Sequence, residues 1–341
     1  MAVAAELRAS GAQVSFLGTR ERIEAELAPA AGYEIDFVKV RGIDRRNPLR
    51  AARAGAQALA AVGAARAALR RREADVVMGG GGFVAGPAGL AAALTGTPLV
   101  LTEADSHMGL ANRLLAGRAQ RVCLAFPIDG REGERYRVTG RPVPDAVLRA
   151  DRGAARERFA IQADARCLLV VGGSQGARSI NLAAVAAFAE RDGRDFHVLH
   201  LAGRRDFEPL EQRLAAAPHR DRYTLLAYEP DLGDVLAASD LVLGRSGGSI
   251  FEVTAAGRPA ILVPYPHATG DHQTANACWM ADAGAAVVVA DAELSAERLS
   301  DEVAALFDDE RRLGEMAAAA RRIARPDAAR RVADEVLAAA R

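Results

Sequence analysis

The residue types that could do chemistry in this chain gather in a few short stretches. The richest is residues 244–276, where the turn Arg245-Ser246-Gly247-Gly248-Ser249 precedes a segment carrying Glu252, and Asp271-His272-Gln273 opens another segment farther on. A Gly/Ser turn feeding a helix presents free backbone N–H groups and the positive end of the helix dipole to an anion. A carboxylate one turn inside that helix can accept hydrogen bonds from two vicinal hydroxyls, as the acidic residue of nucleotide-binding folds does for a ribose. The pattern alone suits equally a capped helix on which Glu252 is merely solvated. Gly172-Gly173-Ser174-Gln175-Gly176 offers similar chemistry, with glycines that let backbone approach a phosphate and a hydroxyl on Ser174. It is neither G-x-G-x-x-G nor G-x-x-x-x-G-K-[ST], and a plain tight turn has the same composition.

The quartet Gly79, Gly80, Gly81 and Gly82, with Gly86 and Pro87 behind it, holds more glycine than a turn requires, at a cost in chain entropy. Backbone contact with a second anionic ligand would account for it. Glu103 and Asp105 precede His107, a cluster with acid/base character, although both carboxylates equally suit capping of the helix that follows. His267 and His272 lie five apart, but Asp271 fits an N-cap better than a third ligand, so no metal site is expected. Lys39, Arg41, Arg45, Arg46, Arg50, Arg53, Arg66, Arg70, Arg71 and Arg72 concentrate positive charge, with Asp44 the one acidic residue among them. Such a helix can lie on anionic headgroups, or its arginines can snorkel over apolar neighbours in solvent; the charge excess favours the membrane surface.

These stretches fall between short apolar runs that alternate with helical ones. Strands are expected at 13–17, 33–40, 75–78, 99–102 and 121–126, with helices at 1–10, 21–27, 48–72, 90–94 and 108–115. Gly140-Arg141-Pro142-Val143-Pro144 reads as a hinge, because two prolines in that spacing stop regular structure. The alternation then restarts with a helix at 151–159, strand 167–171, helix 177–190, strand 197–201, strand 223–226, helix 232–238, strand 241–243 and strand 286–289. Short strands separated by helices predict two open parallel sheets, an α/β fold whose ligands bind at the carboxyl ends of the strands, in a cleft where two such domains face one another.

Composition sets the bounds. A chain of 341 residues suits two domains. Lys plus Arg equals Asp plus Glu at 44 each, so no nucleic-acid partner is indicated. Cys123, Cys167 and Cys278 are widely spaced in apolar sequence and read as reduced, buried thiols. No apolar run reaches the roughly 18 residues of a membrane span.

Taken together, the 172–178 run Gly-Gly-Ser-Gln-Gly-Ala-Arg, Arg245-Ser246-Gly247, Glu252 with Ala255-Ala256-Gly257, and Asp271-His272-Gln273 through Asn276-Ala277 resemble the MurG family. The resemblance also takes in Leu17-Gly18-Thr19, the 79–87 loop and Pro326-Asp327-Ala328-Ala329. It implies a GT-B fold of two Rossmann-like doubly wound domains: 1–142 on the acceptor and membrane side, with a helix at 327–341 packing back on it, and 143–326 binding the donor. The implied reaction is inverting transfer of N-acetylglucosamine from UDP-N-acetylglucosamine to undecaprenyl-pyrophosphoryl-MurNAc-pentapeptide (lipid I), giving lipid II for peptidoglycan synthesis. The enzyme would sit peripherally on the cytoplasmic face of the cell membrane and use no cofactor.

By the same resemblance, Glu252 would hold the ribose, and Ser174, Gln175 and the turn of Arg245, Ser246, Gly247, Gly248 and Ser249 the diphosphate. Gln273 and His272 would fix the donor sugar, Tyr228 would flank the uracil, and Gly79 to Gly82 would face the acceptor pyrophosphate. The family's first strand and Gly-rich turn, with the histidine proposed near the base, would precede Met1, leaving Glu103 or Asp105 as the acid/base candidates. The chain departs from the family pattern at Thr102-Glu103-Ala104-Asp105 and at Gly140 to Pro144. A non-catalytic UDP-sugar-binding homologue and a related GT-B lipid glycosyltransferase are the alternatives.

Overall fold

A computed structural model describes residues 1–40, 48–173, 176–191 and 195–340, with 48–56 and 58 described by backbone alone. The chain divides into two compact units, Met1–Pro142 with Asp327–Arg341, and Val143–Pro326. The first unit runs α1 (Ala2–Ala9), β1 (Ser15–Gly18), α2 (Glu24–Ala30), β2 (Glu34–Phe37), α3 (Pro48–Arg71), β3 (Val77–Gly79), α4 (Gly82–Thr95), β4 (Leu99–Glu103), α5 (Leu110–Leu115), β5 (Arg121–Leu124) and β6 (Tyr136–Val138). Its strands pair in parallel as two sheets, β1-β2 and β3-β4-β5-β6. Val100, Leu101, Val122 and Leu124 are fully buried, as in strands covered by helices on both faces.

The second unit runs α6 (Asp145–Arg149), α7 (Arg152–Arg158), β7 (Arg166–Val171), α8 (Arg178–Val185), β8 (Phe196–Leu201), α9 (Phe207–Ala215), β9 (Tyr223–Leu226), α10 (Leu232–Ala238), β10 (Leu241–Gly244), α11 (Ile250–Ala255), β11 (Ala260–Leu262), α12 (His272–Asp282), β12 (Ala286–Val288), α13 (Ala296–Phe307) and α14 (Glu310–Ile323). All six strands are parallel, in the order β12-β11-β10-β7-β8-β9. One core of Leu168, Val170, Ile180, Val198, Leu243 and Val303, among others, lies against this sheet. α15 (Ala328–Ala339) then returns to the first unit, where Val332 and Val336 pack with Val3 and Leu7 of α1 and Val100 of β4.

The helix expected at 90–94 begins eight residues earlier, at Gly82, and the one expected at 177–190 ends in a π-helical turn, Ala186–Arg191. Pro87 does not stop α4, because a proline near the start of a helix removes few ladder bonds.

Candidate functional site

In the second unit, β7 is followed by β8 and β9 on one side, while β10, β11 and β12 build outward on the other. The strand order therefore reverses between β7 and β10, the place where open α/β sheets bind ligands beyond the carboxyl ends of their strands. Val171 and Gly244 close the two strands in register there. A Cβ on Gly244 would stand 2.6 Å from the Val171 carbonyl oxygen, so only glycine lets the strand ends approach this closely. The turn after β7 is packed as tightly: Gly176 has φ +75°, and a Cβ on it would stand 2.4 Å from the Ala202 oxygen.

The turn after β10 splits its side chains between two tasks. Arg245 is turned inward, donating to the Val263 and Pro264 carbonyls (3.0 and 3.1 Å) and to Ser179 Oγ (2.8 Å), and pairing with Asp291 at 2.6 Å. Ser246 is fully buried; its hydroxyl donates to the Gln273 carbonyl (2.6 Å), and its own carbonyl accepts from Asn276 Nδ2 (2.9 Å). Gly247, Gly248 and Ser249 are half-buried, and among the described residues no backbone acceptor takes their N–H groups. Glu252 lies half-buried in the first turn of α11. Gln273 Oε1 accepts from the Tyr265 N–H (3.0 Å), and its Nε2 lies on the side of Gly247. His272 Nδ1 is 2.9 Å from the Thr269 oxygen. Asp271 adopts a left-handed backbone (φ +53°) and accepts from the Thr274 hydroxyl at 2.7 Å. Tyr228 is exposed, with the Arg204 guanidinium 4.9 Å above its ring. Ser174 and Gln175 lie outside the described residues.

In the first unit the glycine quartet joins β3 to α4. Gly81 and Gly82 both have φ in the left-handed region, +79° and +76°, which explains glycine at those two positions. A cavity of about 780 Å³ opens beside them, lined by Leu17, Thr19, Arg22, Lys39 and Phe83 among others. Glu103 is buried at the end of β4. One carboxylate oxygen accepts from the N–H groups of Ala104 and Asp105 (3.0 and 3.3 Å), the other from Gly109 N–H and Asn112 Nδ2 (2.8 and 2.9 Å). Arg71 and Arg72 are paired with Asp36 of β2, at 2.7 and 3.0 Å, and Arg72 also with Glu34. Arg41, Arg45 and Arg46 lie outside the described residues. Among those residues no cluster of three or more His, Cys, Asp or Glu could hold a metal, and no helix is long and apolar enough to cross a membrane.

Residues 1–124 match the glycosyltransferase family 28 N-terminal domain and residues 167–332 its C-terminal domain. The UDP-N-acetylglucosamine--N-acetylmuramyl-(pentapeptide) pyrophosphoryl-undecaprenol N-acetylglucosamine transferase of Moorella thermoacetica is 40% identical over 336 residues, covering 96% of this chain and 91% of the relative. The enzyme of the same name from Halorhodospira halophila is 40% identical over 98% of this chain and 92% of its own length. The chain belongs to the MurG family. The crystal structure of Acinetobacter baumannii MurG superposes with a TM-score of 0.80 at 32% identity, over 99% of this chain and 94% of that one. The calicheamicin glycosyltransferase CalG4, at 20% identity and a TM-score of 0.69 over 99% of this chain and 93% of its own, shares the fold. The two-domain α/β architecture with parallel sheets is thus that of MurG and other GT-B glycosyltransferases.

Of the positions that the MurG resemblance marks, Gly247, Gly248, Ser249, Glu252, His272 and Gln273 come together around the ends of β10 and β11. The Arg245 guanidinium and the Ser246 hydroxyl are bonded within the protein, to carbonyls, Ser179 and Asp291. Glu103, with four donors on two oxygens, caps the 104–109 loop and α5. The basic stretch is less free than its sequence implies, since its acidic counterparts come from β2. Sequence reasoning missed Ser179 and Asp291, which hold Arg245, and the buried residues Asn181, His200 and Tyr223; two histidines in a strand that is apolar elsewhere, His197 and His200 of β8, are the one signal that marks any of them.

Proposed function

We propose that this chain transfers N-acetylglucosamine from UDP-N-acetylglucosamine to lipid I, the reaction carried in the name of its relatives. The observation that carries the proposal is that Gly247, Gly248, Ser249 and Glu252 follow β10 at the switch point beside β7, and among the described residues no backbone acceptor takes the first three N–H groups. The N–H groups of Gly247, Gly248 and Ser249, with the turn after β7, bind the diphosphate. Glu252 accepts the ribose hydroxyls, Gln273 Nε2 and His272 hold the sugar, and Tyr228 flanks the uracil. In the first unit the loop of Gly79 to Gly82 takes the acceptor pyrophosphate.

In this assignment an acceptor hydroxyl attacks the anomeric carbon while the bond to the β-phosphate oxygen breaks, inverting that centre. UDP departs with the bonding pair, and aligned N–H groups stabilise its growing charge. The hydroxyl proton passes to a base. Asp105, half-buried beside the encumbered Glu103, is the stronger candidate of the two. Attachment at the cytoplasmic membrane surface belongs to the same proposal and is supported by the exposed Lys39, Arg66 and Arg70.

Incubation with labelled UDP-N-acetylglucosamine and a lipid I analogue should yield labelled lipid and free UDP. Donor binding by calorimetry without product on any acceptor would assign the chain to non-catalytic UDP-sugar binders. Transfer to a lipid lacking pyrophosphate would assign it to another lipid glycosyltransferase class.

A further inference from the structure

Asn181 on α8, His200 on β8 and Tyr223 on β9 are all buried, at 0, 0 and 2% exposure. Their proton directions follow from the amide. Asn181 Nδ2 donates to the Ala202 carbonyl (2.8 Å) and to Asp206 Oδ2 (3.0 Å), which leaves Oδ1 to accept from His200 Nε2 at 3.0 Å. A neutral ring with its proton on Nε2 accepts at Nδ1, and Tyr223 Oη donates there over 2.7 Å. Burial pushes the ring's pKa down to about 3, which keeps it neutral.

A buried polar chain is costly unless each member is satisfied, and apolar side chains of similar size would fill the same volume. This network leads from the edge strand β9 to the Ala202 carbonyl and the Asp206 carboxylate, and on the Ala202 oxygen Gly176 packs without room for a Cβ. We propose that Tyr223, His200 and Asn181 form a neutral brace that sets Gly176 and Ala177 at the entry of α8, making all three positioning residues for the nucleoside-diphosphate sugar. This rests on the donor assignment above. The brace touches neither substrate, so it governs donor affinity and leaves the chemical step alone.

Asn181→Leu should raise the donor KM about ten-fold, the worth of one well-placed buried hydrogen bond. Its kcat should stay within about two-fold and its acceptor KM should not move. Hydrogen exchange on the ligand-free protein should quicken about ten-fold at the Gly172, Gly173, Gly176 and Ala177 amides, with the β7 and β8 amides unchanged. His200→Leu should behave likewise, whereas His200→Gln, which can donate to Asn181 and accept from Tyr223, should restore both readouts. Should Asn181→Leu not fold, Tyr223→Phe removes a single hydroxyl and should shift both readouts the same way by about three-fold. A folded variant with unchanged donor KM and unchanged exchange overturns the brace, as does a fall in kcat at constant KM. Because exchange is read without ligand, quickened turn amides in a protein that binds no UDP-sugar would uphold the brace and remove the donor assignment instead.

Discussion

Glu252 lies half-buried in the first turn of α11, and in the proposed assignment it accepts the ribose hydroxyls. Glu252→Ala should weaken UDP-N-acetylglucosamine binding by about 2 kcal/mol, roughly 30-fold by calorimetry, as for loss of hydrogen bonds to a charged group; an unchanged Kd would remove Glu252 from the ribose. A second prediction at this scale concerns the thiols. Burial pushes Cys123 and Cys167 up to about 12, while Cys278, expected from its sequence to be buried, is exposed. Native protein should therefore react with a disulfide reagent at one cysteine and denatured protein at three; a second fast native thiol would contradict the burial. The place of Glu252 one turn inside a helix was legible in the sequence because a Gly/Ser turn marks the end of a strand, whereas the role proposed for Gln273 comes from the family resemblance. The internal bonds of Arg245 and Ser246 were not legible, since spacing does not tell a side chain turned into the protein from one turned outward.

The strands were legible as short apolar runs, because parallel strands buried on both faces need no alternation. Their order was not: nothing in residues 241–244 announces that β10 returns beside β7, and that return creates the switch point. α9 escaped notice because Pro209 interrupts its pattern, yet a proline in the first turn of a helix removes no ladder bond. The break of the first unit into two sheets was equally invisible, since pairing is a long-range property. β8 yields a prediction of its own. With the folded-state pKa of His200 near 3 and the unfolded value about 6.5, the unfolded chain takes up this proton first as pH falls. Stability from this group is thus complete above about pH 6.5 and declines toward pH 3 by about 1.4 kcal/mol per pH unit. Denaturant midpoints from pH 7 to 4 should fall less steeply for His200→Gln than for the parent chain. Parallel pH profiles would show that the ring titrates normally.

At the scale of the molecule, Val143–Pro326 is an uninterrupted segment holding all six strands of its sheet and a core of its own. Expressed alone, it should unfold in a single cooperative transition and bind UDP-N-acetylglucosamine while transferring no sugar; a molten, non-binding fragment would show that its stability is borrowed. The first unit is discontinuous. α15 supplies Val332, Ala333, Val336 and Ala339 to the core around Val3 and Leu7, and Glu335 pairs with Arg121 at 3.0 Å and Arg137 at 3.6 Å. That return has a consequence for biogenesis. Translation delivers α1 through β6 first, but the helix that covers Val100 and Cys123 leaves the ribosome only after the whole of the second unit. At ~5–20 residues per second, the nascent first unit waits on the order of tens of seconds with that apolar face uncovered. The second unit, encoded later, can reach its native state first, and chaperones that shield apolar surface during synthesis would engage the N-terminal half of the chain.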